Sequence, residues 1–230
     1  MTRSLCAAAI LVVLSAALAT AAPDPSSCTA KTATTEVPKE LADPVRALLS
    51  DKSVQVQDKD GKVYCEVWFR KELPIKATAE EVKKGITYRK LEESTILGAV
   101  RFNQPWRSFR KQDIKPGLYT LRLGFQPMDG DHQGTAPFNE FLLLTPAAAD
   151  KEAKIMPHKE LAELSGKTLP GGSHPAVLLL YPNPKPEAAP QLVNKGKNIF
   201  VLNWKSEVAA GSDKGVLGLG LTLFGVTEAE

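Results

Sequence analysis

The chain has 230 residues, with 29 Lys and Arg against 26 Asp and Glu, a formal net charge of +3. That length can bury a full hydrophobic core without disulfides or metals to hold a small scaffold together. The near-neutral balance excludes the strong field that nucleic acid or an anionic membrane surface would call for.

Residues 1–22 carry Arg3, an apolar stretch from Ala7 to Leu18, and Ala19-Thr20-Ala21-Ala22 ahead of Pro23. A positive start, a short apolar run and a small-residue cleavage site form the pattern of a secretory signal peptide. The apolar run is shorter than the roughly 20 residues needed to span a bilayer, so no transmembrane segment is expected. A secreted or periplasmic protein, cleaved near residue 22, is the expectation. Residues 23–35 are polar, small and Pro-bearing, and read as a disordered tether. Residues 36–230 read as one domain.

The chain has 3 cysteines, and Cys6 lies within the signal. Cys28 and Cys65 form an even pair in an oxidising compartment, where a disulfide would be worth roughly 4 kcal/mol by loop entropy. Cys65 alternates with Val63, Val67 and Phe69 and should face the core, whereas Cys28 sits in the tether. Two unpaired thiols are the alternative, and a lipid anchor on Cys28 is the third reading.

Most of the remaining chain has period two. Val54 and Val56 alternate with Gln55 and Gln57, and Asp60-Gly61 turns into an alternating run over 62–70, a hairpin signal. Ile96, Gly98, Val100 and Phe102 mark another strand face. Pro116-Gly117 is a turn leading to Tyr119, Leu121, Leu123 and Phe125 on one face, with Thr120 and Arg122 on the other. Residues 138–144 and 176–181 are nearly continuous apolar runs, the pattern of strands covered on both faces. Residues 199–204 and 216–224 complete the set. In the last, Leu217, Leu219, Leu221 and Leu223 share one face, and Gly218, Gly220 and Thr222 share the other, where something must approach the backbone closely.

Helical signals are short. Thr78-Ala79-Glu80-Glu81 is a capping box closed by Gly85, Pro157 suits the first position of a helix ending at Gly166, and Asp43-Pro44 starts a third. Residues 181–190 form an extended Pro-rich loop. Together these predict a mainly β fold: an antiparallel β-sandwich, jelly-roll-like or a partly open barrel as variants, with two or three short helices.

The best ion-site candidate is the loop from Asp129 to Glu140. Set against a calcium loop, Asp129 and Asp131 fall at positions 1 and 3, Gly134 at 6 and Glu140 at 12. Gln133 and Pro137 depart from that pattern, and the flanks read as strands, so only a strand–loop–strand Ca2+ site survives. His132 and His174, with Asp129 or Asp131, could instead hold Zn2+ as a two-His, one-carboxylate set. His158 beside Pro157 reads as structural. The segment 101–111 mixes cations with aromatics, and Trp106, Arg107 and Arg110 are where a polysaccharide would bind. No nucleophile elbow or dinucleotide fingerprint is present.

The stretch Asp113-Ile114-Lys115-Pro116-Gly117-Leu118-Tyr119-Thr120-Leu121 resembles a turn-into-strand pattern of exported bacterial β-sandwich proteins of unknown function. Asp129-Gly130-Asp131-His132, Phe141-Leu142-Leu143-Leu144 and Ser173-His174-Pro175-Ala176 continue that resemblance, which covers about a third of the chain. It implies export and a sandwich, and no activity. The expectation is a non-catalytic exported module that binds a protein, a glycan or an envelope component, with no nucleic acid among its partners. A metal-dependent hydrolase using the 129–132 loop and His174, or a calcium-stabilised structural protein, are the alternatives.

Overall fold

The computed structural model describes residues 23–127 and 136–227. Its strands, in chain order, are β1 (Thr29–Thr34), β2 (Leu49–Gln57), β3 (Val63–Arg70), β4 (Leu73–Pro74), β5 (Ile96–Phe102), β6 (Trp106–Arg107) and β7 (Asp113–Ile114). They continue as β8 (Gly117–Phe125), β9 (Glu140–Pro146), β10 (Ala176–Leu179), β11 (Gln191–Asn194), β12 (Phe200–Ala210) and β13 (Asp213–Phe224). Three short helices accompany them: α1 (Asp43–Arg46), α2 (Ala79–Lys84) and α3 (His158–Gly166). Among the described residues no helix is long and apolar enough to cross a membrane.

Seven strands form one antiparallel sheet in the order β1-β2-β3-β5-β8-β9-β10, and β11-β12-β13 form a second, with β4 parallel to β12. Each long strand therefore neighbours the previous long strand in sequence, a meander rather than the crossed connections of a jelly roll. The predicted hairpin forms at Asp58–Gly61, where Gly61 adopts φ +81° and the Asp58 carboxylate accepts the N–H groups of Asp60 and Lys62. The two sheets pack face to face as a β-sandwich. Leu202, Trp204, Leu219 and Leu221 from the small sheet meet Val67, Val100, Leu121 and Leu142 from the large one in a single core. Phe69 and Trp204 stack across it with ring centroids 3.8 Å apart. At one edge Leu180 bridges Leu221, and at the other β1 lies against β11, so the sandwich is partly closed in the manner of a barrel.

Two expectations for the N-terminal stretch are corrected. Residues 29–34 are not a tether: all six pair with β2 from Thr29↔Gln57 to Thr34↔Lys52. Their side chains are mostly exposed, so the ladder, not a buried face, makes this segment a strand. Cys28 and Cys65 are not bonded to each other; both are free and buried. Cys28 precedes β1, while Cys65 belongs to β3, with β2 between them. Two strand spacings, roughly 9–10 Å, exceed the ~7 Å that a disulfide can bridge between Cα atoms.

The outer face of the large sheet is covered as well. α1 brings Val45 onto Trp68, Ile96 and Ala99, and α3 brings Leu161 onto Phe141, Leu143 and Val177. On this face Arg122 is fully buried and paired with Asp150, itself 1% exposed. Its Nε and one terminal nitrogen donate to the two Asp150 oxygens at 2.8 Å each. The remaining N–H groups reach the carbonyls of Ser94, Glu152 and Lys154 and the Ser94 hydroxyl. Thr120 and Thr145 donate to the same carboxylate. The charge thus fastens the loop after β9 onto the sheet.

The small-residue face of β13 is approached as expected. A Cβ on Gly218 would collide with the Asn183 carbonyl, and one on Gly220 would lie 2.7 Å from the Tyr181 carbonyl. The start of the Pro-rich loop therefore lies directly on this face. Tyr88 locks it there: its hydroxyl donates to the Tyr181 carbonyl at 2.5 Å and accepts from the Gly220 N–H at 3.0 Å.

Candidate functional site

The outer face of the large sheet carries a cleft of about 310 Å3. Its floor is apolar: Gly124 and Phe125 of β8, Phe141 and Leu143 of β9, and Val177 of β10. His158 and Ala162 of α3 form one wall. The turn between β6 and β7 forms the other with Arg110 and Gln112, and His174 and Pro175 close it from the approach to β10. The cavity exists because small residues stand at two key positions. Gly124 leaves its place to a Leu143 methyl group, which a Cβ there would displace, and Ala162 presents only a methyl group.

The β6–β7 turn is held firmly. The Lys111 N–H donates to the Ser108 carbonyl and the Ser108 N–H to the Gln112 carbonyl, both at 2.9 Å, with Lys111 at φ +62°. The Gln112 amide ties the turn to the neighbouring strand: Nε2 donates to the Pro175 carbonyl at 2.8 Å, and Oε1 accepts from the Val177 N–H at 3.1 Å. The Thr227 N–H adds a bond to the Phe109 carbonyl at 2.7 Å. Arg110 is thereby carried on a fixed backbone, and its guanidinium has no carboxylate partner among the described residues.

His158 is oriented by a carboxylate. Its Nδ1 lies 2.8 Å from Glu93 Oε1, and the same oxygen accepts the Phe125 N–H at 3.2 Å. His174 Nδ1 is 3.0 Å from the Ser173 hydroxyl. In each ring the first nitrogen is engaged, which leaves Nε2 as the group available to a ligand.

Of the predicted ion-site residues, Asp129, Asp131 and His132 lie outside the described residues. Glu140 starts β9, and Arg89 Nε lies 2.8 Å from its carboxylate while the same guanidinium sits 4.7 Å from the centre of the Phe125 ring. The Glu140 carboxylate is therefore already paired with a cation. Among the described residues no three His, Cys, Asp or Glu side chains converge as a metal site would require.

Trp106, Arg107 and Arg110 do not gather on one surface. Trp106 is buried, donates from Nε1 to the Leu223 carbonyl at 2.8 Å and stacks on Phe102. Arg107 is exposed and lies 4.0 Å from Asp113. These two border a separate groove of about 430 Å3, shared with Pro23, Pro25, Val226 and Thr227. Only Arg110 enters the cleft beside His174. Sequence reasoning missed His158 as a cleft residue. The available signal was its spacing: His158 and Ala162 are one helical turn apart and share a face next to buried Leu161.

Compared with known proteins, the chain matches no family model, no curated protein and no solved structure. The cleft must therefore be read from its chemistry. An apolar floor with a few convergent polar groups around its rim is the usual construction of a ligand site.

Proposed function

We propose that this protein is an exported, non-catalytic β-sandwich recognition module, akin to the exported sandwich proteins it resembles, and that it binds its target in the cleft between α3 and the β6–β7 turn. The leader-like pattern of residues 1–22 supports export. The observation that carries the binding reading is the convergence of Arg110, His158 and His174 around one apolar floor. Those three residues are separated by long stretches of chain and belong to three different elements. A protein, glycan or other envelope component that inserts a small group there is the target class. The test is a titration of small-molecule fragments and short oligosaccharides against the 15N-labelled protein. Shifts should cluster at Gly124, Phe141, Ala162 and Val177. Shifts that map elsewhere, or none from the whole set, would sink the reading.

The metal-dependent hydrolase expected from the 129–132 loop and His174 is the second reading, favoured by one observation: a second histidine, His158, lines the same cleft as His174 and is held by a carboxylate. Calorimetric titration with Zn2+ decides it. Stoichiometric binding that His174→Ala abolishes, together with Zn2+-dependent cleavage of an ester or amide probe, would favour hydrolysis, and no heat would remove it.

A further inference from the structure

We infer that the cleft selects small monocarboxylic acids with an apolar body, a reading that rests on its being the binding site. The charge argument comes first. Among the described residues no Asp or Glu lines the cleft and Arg110 is its one permanent cation, and the turn that carries Arg110 is pinned to β10 through Gln112. Glu93, the carboxylate that holds His158, is engaged by that ring and by the Phe125 N–H. A guanidinium offers two parallel N–H donors in the geometry of a carboxylate, and that pairing gains strength beside apolar surface. The His174 ring, whose Nδ1 can accept from the Ser173 hydroxyl, adds an Nε2–H donor at the rim. A phosphate, with its second charge, would call for a second permanent cation, and none lines the cleft among the described residues.

The apolar half sets the rest of the ligand. Phe141, Leu143 and Val177 offer contact to a hydrocarbon or aryl body and no hydrogen bonds from their side chains. A volume of about 310 Å3 lies at the small end of ligand cavities, about 300–1,000 Å3, so the body is fragment-sized. The fixed β6–β7 turn means that little ordering of the backbone remains to be done on binding.

The probes are 4-phenylbutyrate and its neutral analogue 4-phenylbutanol, each titrated against the protein and followed by 1H–15N NMR. The acid should bind more tightly than the alcohol, with shifts at Gly124, Phe141 and His174. Arg110→Gln should weaken the acid by about tenfold or more and leave the alcohol within about twofold. Ala162→Leu, which fills the wall while keeping a good helix former, should abolish both without lowering the melting temperature. Equal affinity for acid and alcohol, or no effect of Arg110→Gln, overturns the carboxylate inference and leaves the recognition cleft standing. Binding of neither probe, or shifts away from the cleft, overturns both.

Discussion

Replacing Asp150 by asparagine should be among the most damaging conservative changes in this molecule. The substitution keeps the shape and removes the charge. It leaves the Arg122 guanidinium, fully buried, without its counter-ion and with neutral acceptors alone: one amide oxygen at position 150, the carbonyls of Ser94, Glu152 and Lys154 and a serine hydroxyl. Removing one partner of a buried pair costs about 3–5 kcal/mol, because the surviving charge stays desolvated. At about 2–4 °C per kcal/mol for a chain of this size, the melting temperature should fall by roughly 6–20 °C. Arg122→Met combined with Asp150→Leu removes both charges. It should cost less than the sum of the two single changes, by roughly 1–3 kcal/mol. Guanidinium unfolding followed by circular dichroism gives the free energies, and hydrogen exchange gives the place. Amides around 147–156 should lose protection first, since that loop is held through the Glu152 and Lys154 carbonyls. A loss below about 1 kcal/mol for Asp150→Asn, or strict additivity in the double variant, would refute the argument that the pair is a desolvated clasp.

Burial pushes both the Cys28 and the Cys65 thiols up, so iodoacetamide should modify them slowly in the native protein. In denaturant without reductant both should react at once; a thiol that stays blocked would contradict the separation of β1 from β3. Gly218→Ala should drive the Asn183 carbonyl off β13 and cost about 1–3 kcal/mol in urea, with the loss of the Asn183 side-chain bond to the Leu219 carbonyl. The hydrogen bond from Lys90, helped by the Thr78 N–H, lowers the Glu81 carboxyl to about 2 from an ordinary 4.5. A depressed acid stabilises the fold above its unfolded value and loses that contribution as pH falls from about 4.5 towards 2. Carboxyl-carbon NMR should place the Glu81 midpoint near the bottom of that window, and Glu81→Gln should flatten the stability slope there; a midpoint near 4.5 would refute the pairing.

The elements with a strong period were legible in the sequence. The Asp60-Gly61 hairpin and the four leucines of β13 each formed as read, whereas the strand expected over 96–102 formed with a register irregularity after Ile96, which places Ile96 with Ala99 on the outer face while Val100 and Phe102 face the core between the sheets. The bare face of β13 even announced a close neighbour, supplied by Tyr181 and Asn183. β1 was illegible because Thr-Ala-Lys-Thr-Ala-Thr has no period-two apolar face to signal burial. Arg122 reads as a solvent-facing residue on an alternating strand. Nothing local says that a loop 28 residues further on returns a carboxylate to cover it. The cleft was half legible. Arg110 and His174 stood out as residue types, but Trp106 and Arg107 drew attention to a different groove. The meeting of α3 with the β6–β7 turn is a product of the whole sheet. His158 looked structural because its role depends on Glu93, 65 positions away.

The groove beside Trp106 brings Pro23 and Pro25 against Val226 and Thr227, so residues near both limits of the described chain meet at one pole of the sandwich. That proximity makes the fold open to rewiring. A short Gly-Ser linker can join residue 227 to residue 23, with new ends cut at the exposed Lys59–Gly61 turn between β2 and β3. Such a permuted chain would keep every strand pairing except the covalent link of one hairpin. It would also move any fused label to a different place on the surface, giving two independent handles for presenting the cleft to a partner.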